Sequence, residues 1–141
     1  MKPHAPLTLE EFQHAQINIQ STAVRTPLVR LNVDLADTEI YLKLENLQPI
    51  GSFKLRGAIN AIRNTDPEKL EAGVWTASMG NMAQGVAWAA REIGIKATVV
   101  VPDDATRSKL AAMEELGASI QKIPRNAWFD LILYSLSLIH I

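Results

Sequence analysis

The residues that could do chemistry in this 141-residue chain concentrate in two short stretches. The first is Pro49-Ile50-Gly51-Ser52-Phe53-Lys54-Leu55-Arg56-Gly57-Ala58. Ser52 is placed to cap a helix that runs on through Ala58, Ile59, Ala61 and Ile62. Lys54 then falls in the first helical turn, where unpaired N–H groups make the local field positive. A cation is disfavoured there, and Arg56 close by adds to the effect. Both favour the neutral amine that a nucleophile needs. The residues alone equally accommodate a lysine that bends out into solvent.

The second stretch is Thr76-Ala77-Ser78-Met79-Gly80-Asn81-Met82-Ala83-Gln84-Gly85. It follows an apolar strand and opens a helix, the edge of an α/β unit where helix N–H groups gather anions. Ser78, Gly80 and Asn81 suit a loop wrapped around a carboxylate, and they suit an ordinary capped turn as well. Thr76-x-Ser78-x-Gly80 falls one residue short of a nucleophile elbow. A serine hydrolase would also need a later histidine base, and the only one is His140, in a charge-free tail. His4 and His14 lack carboxylates at ligand spacing, which argues against a metal site. Neither a P-loop nor a G-x-G-x-x-G run is present.

The elements that must hold these stretches follow from periodicity. Thr8 and Glu11 have capping-box spacing, and Leu9, Phe12, Ile17 and Ile19 supply an apolar stripe, so residues 8–20 read as a helix. Residues 28–31 and 39–45 alternate as strands and are expected to pair, with Asp34 to Asp37 in the connection. The Lys54 helix should end near Asn64. From Val74 onward short apolar strands alternate with helices. Strands are expected at 74–76, 97–101 and 119–123, with helices at 81–93 and 106–116 stopped by Gly94 and Gly117. Met82, Val86, Ala89 or Ala90 and Ile93 should share one buried face, and Leu110, Met113 and Leu116 another. Crossover helices between strands demand a parallel sheet.

Composition bounds the function. Hydrophobic residues make up 48% and charged residues 21%, as in a globular protein, and the net charge is −1. No block of like charge attracts nucleic acid or an anionic membrane surface. The chain has no cysteine, which removes disulfides and thiolate metal sites. Residues 1–6 lack the apolar core of a signal peptide and no apolar run is long enough to span a bilayer, so a cytoplasmic location is expected.

Three stretches together resemble the pyridoxal-phosphate enzymes of the threonine/serine dehydratase and serine racemase family. Thr26-Pro27-Leu28-Val29-Arg30-Leu31 is similar to the family's early strand. Leu42-Lys43-Leu44-Glu45-Asn46-Leu47-Gln48-Pro49 with Gly51-Ser52-Phe53-Lys54-Leu55-Arg56-Gly57-Ala58 is similar to its cofactor-lysine segment. Ser78-Met79-Gly80-Asn81-Met82-Ala83-Gln84-Gly85 is similar to its S-x-G-N-H-A-Q-G loop. With Val100-Val101-Pro102 and Lys109-Leu110-Ala111, the resemblance covers about residues 22–129.

It implies an α/β fold of the tryptophan synthase beta-like type (fold type II), a parallel sheet with helices on both faces, here truncated. Pyridoxal 5'-phosphate would be held by Lys54 as a Schiff base, with Phe53 helping to enclose the ring and Asn81 hydrogen-bonding its phenolic oxygen. Ser78, Met79, Gly80, Asn81 and Met82 would hold the substrate carboxylate, largely through backbone N–H groups. The implied reaction converts a 3-hydroxy amino acid such as L-threonine or L-serine, or phenylserine or hydroxyaspartate, to a 2-oxo acid and ammonia. The cofactor would act as an electron sink and Lys54 would take the α-proton. A homo-oligomeric parent is implied too.

Two departures stand out. Met82 replaces the histidine of many members, which changes the pocket. Met79 stands where racemases of the family carry a serine, and a thioether moves no protons, so elimination is favoured over racemisation.

Family members are much longer and carry a glycine-rich phosphate loop in their second half, which this sequence lacks. The expected organisation is residues 1–73 as the N-terminal part of a large domain, 74–130 as a small α/β domain and 131–141 as a non-native tail. The Ser-Leu-Ile-His-Ile ending resembles adapter or vector sequence, with a buried helix or strand as the alternative. On this view the chain is an N-terminal fragment, and Lys54 and Asn81 lie across the 65–73 boundary with little to fix their separation. The rival readings are a non-catalytic product that folds only the small domain, or a racemase of the same family.

Overall fold

A computed structural model describes residues 6–33 and 38–138. The expected connection at 34–37, His4 and the last three residues lie outside the described residues. Helix α1 (Leu9–Ile19) begins at the expected capping box: the Thr8 hydroxyl accepts from the Glu11 N–H at 3.2 Å, and the Glu11 carboxylate accepts from the Thr8 N–H at 2.6 Å. Most of its apolar stripe is exposed, with Leu9 73% and Phe12 59% accessible, and only Ile19 at its end packs against the core beneath α2. Periodicity marks an apolar face but not the element that covers it.

Strands β1 (Leu28–Arg30) and β2 (Tyr41–Lys43) pair antiparallel as expected, with Val29 opposite Leu42. A 3-10 turn (Glu45–Leu47) leads to α2 (Lys54–Arg63) and then to a short α3 (Pro67–Leu70). The second half is a parallel three-stranded sheet in the order β3 (Val74–Ala77), β4 (Ala97–Pro102), β5 (Ser119–Ile123). Helices α4 (Asn81–Ile93) and α5 (Arg107–Glu115) form the crossovers. Gly94, at φ +80°, terminates α4 in the left-handed conformation that L side chains avoid.

Helix α4 is buried on two sides. Ala83, Ala87 and Ala90 pack on Ala97, Val99 and Val101 of β4 together with Leu110 and Met113 of α5. Trp88 and Ala89, with Val86 and Ile93 partly buried, face Leu55, Ala58, Ile59 and Ile62 of α2. Of the expected stripe of Met82, Val86, Ala89 or Ala90 and Ile93, Val86, Ala89 and Ile93 lie on the second side, Ala90 lies on the first, and Met82 is exposed rather than buried. The first side is a run of alanines, too small to stand out in a hydropathy pattern yet small enough to let the helix lie close to the sheet. Val100, of opposite parity on β4, is buried as well, so both faces of that strand are covered.

Residues 125–138 form a helix, the alternative considered for the tail, α6 (Arg125–Leu138), which lies against β3 and β4. Its Trp128 is 6% exposed and donates its indole N–H to the Val100 carbonyl at 2.9 Å. The apolar stretch from Leu131 to Leu138 is thus helical, and helical form says nothing about its origin.

A polar hub locks the entry to α2. The Arg56 guanidinium forms two bonds to the Glu45 carboxylate, Nε at 2.8 Å and Nη2 at 2.9 Å, and a third to the Val24 carbonyl at 2.9 Å. Glu45 also accepts from Thr26 Oγ1 at 2.5 Å and Gln48 Nε2 at 3.1 Å. Gln48 closes the circuit by pairing its amide with both the N–H and the C=O of Val24. Lys43 donates to the Thr26 carbonyl beside it. The Arg56 bonds hold the Glu45 carboxyl down from 4.5 to about 2, against a desolvation that pushes it up, with Thr26 and Gln48 assisting.

A depressed carboxyl pKa contributes stability that is fully present above about 4.5 and is lost as the pH falls through about 2. Glu45→Gln is therefore expected to cost ~1–3 kcal/mol at neutral pH. It should also make the acid limb of a stability-against-pH curve shallower, as read by urea unfolding at a series of pH values. An unchanged acid limb would remove Glu45 from that role. For the helix interface, Ile59→Ala deletes a fully buried side chain between α2 and α4 and should cost ~2–4 kcal/mol in the same assay.

Candidate active site

The sequence of α2 places a lysine at its first residue, and the fold decides what that lysine faces. Phe53 takes the cap position in helical conformation, one residue later than the Ser52 expected there. Ser52 still serves the helix start, since its hydroxyl accepts from the Lys54 N–H at 3.3 Å and the residue is buried. Lys54 itself is half-buried, with Nζ 5.0 Å from the centroid of the Phe53 ring. Phe53 is 55% exposed, leaving a free aromatic face beside the amine. Among the described residues Lys54 is in no salt bridge.

Arg56 does not act as expected. Its charge is matched by Glu45 in the hub rather than directed at Lys54. The guanidinium orients the helix as a structural tie, and the positive field near Lys54 is left to the helix N-terminus.

The second stretch forms the turn between β3 and α4. Ser78 and Met79 are half-buried while Gly80, Asn81 and Met82 are exposed. The Ser78 hydroxyl accepts from the Gly80 N–H at 3.3 Å, so one backbone donor of the loop is already engaged. Asn81, Met82 and Ala83 open α4, where the N–H groups have no acceptor within the helix and the dipole favours an anion. Met79 packs its thioether against the core between α4 and the sheet, and Met82 remains on the open side.

The two stretches meet at Gly85. A Cβ built there would stand 3.2 Å from the Lys54 carbonyl carbon, 3.3 Å from its oxygen and 3.3 Å from the Leu55 nitrogen. Gly85 and Asn81 are four residues apart on one helix face. The Lys54 backbone therefore sits a little over one helical turn, ~6 Å, along α4 from Asn81. The expectation that little fixes the separation of Lys54 and Asn81 is overturned: both helices share one core built from Leu55, Ile59, Trp88 and Ala89. Neither Gly85 nor the Glu45 hub was singled out from the sequence. A glycine inside a helical pattern was the one available signal for the former. For the latter there was none, because Glu45 and Arg56 have no helical or strand spacing. A cavity of about 620 Å³ between α1 and α2, lined by residues such as Phe12, His14 and Asn60, lies apart from these stretches.

The family described as pyridoxal-phosphate dependent enzyme matches residues 19–130. An L-threonine ammonia-lyase of Thermotoga maritima is 46% identical over 116 residues, 81% of this chain and 29% of its own length. A serine racemase of Dictyostelium discoideum is 42% identical over 124 residues, 86% of this chain and 38% of its own. The crystal structure of that racemase superposes with a TM-score of 0.80 at 41% identity, covering 86% of this chain and 40% of the other. The chain thus spans roughly a third of the length of the curated relatives it matches. With its parallel α/β core and the family's match across four-fifths of its residues, this chain belongs to the fold-type II pyridoxal-phosphate-dependent enzymes.

Proposed function

We propose that this chain supplies the cofactor lysine and the carboxylate-holding loop of an ammonia-lyase. Its substrate would be a 3-hydroxy amino acid such as L-threonine or L-serine, and its products a 2-oxo acid and ammonia. The observation that carries the reading is the seating of the Lys54 backbone on Gly85, one turn along α4 from Asn81. The residues present fit the aldehyde and ring end of pyridoxal phosphate: a half-buried primary amine, an aromatic face beside it and an exposed amide at the start of α4. When bound, the cofactor supplies an electron-accepting ring that stabilises negative charge on the substrate α-carbon.

The chain's own residues account for the rest. Lys54 Nζ would hold the cofactor's aldehyde end and would be the base at the substrate α-carbon. Phe53 excludes water from one side of that amine. The backbone N–H groups at Met79, Asn81 and Met82 orient the substrate carboxylate, aided by the positive end of α4. Ser78 shapes the loop through its bond to the Gly80 N–H. The Asn81 amide would donate to the ring oxygen of the bound cofactor. Among the described residues no helix is long and apolar enough to cross a membrane, and the reading includes a cytoplasmic location and a homo-oligomer.

Racemisation is the second reading, favoured by the likeness to the Dictyostelium serine racemase. Against it stands Met79, whose thioether carries no proton and whose half-buried side chain packs against the core. It gives no acid or base opposite Lys54.

Lys54→Ala in an active preparation is expected to abolish both the visible absorbance of lysine-bound pyridoxal phosphate and 2-oxo acid release. Retention of both would remove Lys54 from the centre of the reading. Met79→Ser should raise D-serine formation relative to 2-oxo acid release from L-serine, as measured by chiral chromatography. No gain would mean that this position alone does not choose between the two reactions.

A further inference from the structure

The close approach at Gly85 points to a function for a residue outside the loop and the lysine themselves. Cβ contacts of 3.2–3.3 Å are tighter than nine in ten of those made by real side chains, and here they would be made to backbone atoms of Lys54 and Leu55. A flexible side chain could swing aside, but the first turn of a helix cannot. That turn is held from behind by the Glu45–Arg56 pair and by buried Leu55 and Ile59. A methyl group at position 85 must therefore move the start of α2 away from α4 by a few tenths of an ångström. The displaced element is the one that bears Lys54, and the helix it leaves is the one that opens at Asn81.

We infer that Gly85 is a positioning residue: its missing side chain seats the Lys54 backbone on α4 and so sets where the lysine amine stands relative to the loop of residues 78–82. This rests on the reading of Lys54 as the cofactor lysine. Other glycines of these helices have no such role. A Cβ at Gly57, in the middle of α2, would meet nothing within 4 Å. Gly57→Ala therefore provides a background in which α2 has higher helix propensity and an unchanged contact surface.

The experiment uses the 141-residue chain with Gly57→Ala, with and without Gly85→Ala. A further variant, Ala87→Gly, weakens the same α4 helix on its sheet side, away from Lys54. Folding is followed by thermal melting. Placement is followed by the backbone amide resonances of Lys54 and Leu55 in nitrogen–proton spectra. Chemistry is followed by trapping with pyridoxal phosphate and borohydride: the lysine nitrogen condenses with the aldehyde, water leaves, and hydride reduces the C=N bond to a stable secondary amine. Peptide mapping then gives the fraction of label at Lys54 relative to the other lysines.

Gly85→Ala is expected to stay folded, to shift the Lys54 and Leu55 resonances, and to lose on the order of fivefold to tenfold in Lys54 labelling. Ala87→Gly should lower the melting temperature and leave both resonances and labelling unchanged. Unshifted Lys54 and Leu55 resonances in Gly85→Ala, or shifted resonances with undiminished Lys54 labelling, would overturn the inference. So would outright unfolding of Gly85→Ala in the stabilised background, because the glycine would then serve the fold at large. If the parent chain shows no preferential label at Lys54, the reading of Lys54 fails separately, and the resonances alone then decide whether Gly85 seats that turn.

Discussion

Helix α2 lies against α4 with no side chain between Lys54 and Gly85, and the candidate site depends on that contact. Helices normally pack at 8–10 Å between axes, with the distance set by the side chains at the crossing. Here the crossing is built from Gly85, Ala89 and Ala58, so backbone meets backbone closely at one end while Leu55, Ile59 and Trp88 fill the rest. The same α4 is flat on its other side, where Ala83, Ala87 and Ala90 lie on β4. One helix of small residues thus ties the sheet to the lysine-bearing helix, and a change on either side is transmitted through it.

The approach angle of α2 is set from its other end by charge. Glu45 gathers Thr26, Gln48 and Arg56 around one carboxylate, and Gln48 and Arg56 both reach Val24. With about a fifth of the Glu45 side chain and a quarter of Arg56 accessible, this pair is partly withdrawn from water, where a bidentate geometry counts for more than a surface ion pair. Its effect is geometric as well as energetic, because it joins the segment before β1, the turn after β2 and the first turns of α2. Apolar packing alone would let α2 rotate about its axis. The fork of Arg56 specifies one rotation, and with it the side on which Lys54 emerges.

The chemistry proposed for the site uses the same economy of parts. An amine, an aromatic face, one amide and a set of backbone donors are brought together by two helix N-termini and one strand-to-helix turn. None of these groups is unusual alone. What would make them a site is their convergence, and Met79 bears on the point by its packing. Its thioether joins the core between α4 and the sheet, so that position adds packing rather than a proton carrier.

The elements and the candidate residues were legible in the sequence, because each rests on local physics. The capping box at Thr8 and Glu11, the pairing of 28–30 with 41–43, the helix 81–93 with its Gly94 stop and the strand 119–123 all follow from neighbours a few residues apart. The family resemblance was legible for the same reason, since its motifs are contiguous. The covering of faces was not. Most of the stripe of α1 stands exposed, α4 buries an alanine side that hydropathy does not register, and α6 extends into residues whose pattern shows no amphipathic period. Nor could the sequence reveal that Arg56 answers to Glu45 rather than to Lys54, or that Gly85 touches the lysine's own backbone. Those contacts join residues 11 and 31 positions apart, and no periodicity reaches that far. Local order is written in spacing, whereas which surfaces meet is decided by the packing of whole elements, and at this site it is the meeting of surfaces that places the amine.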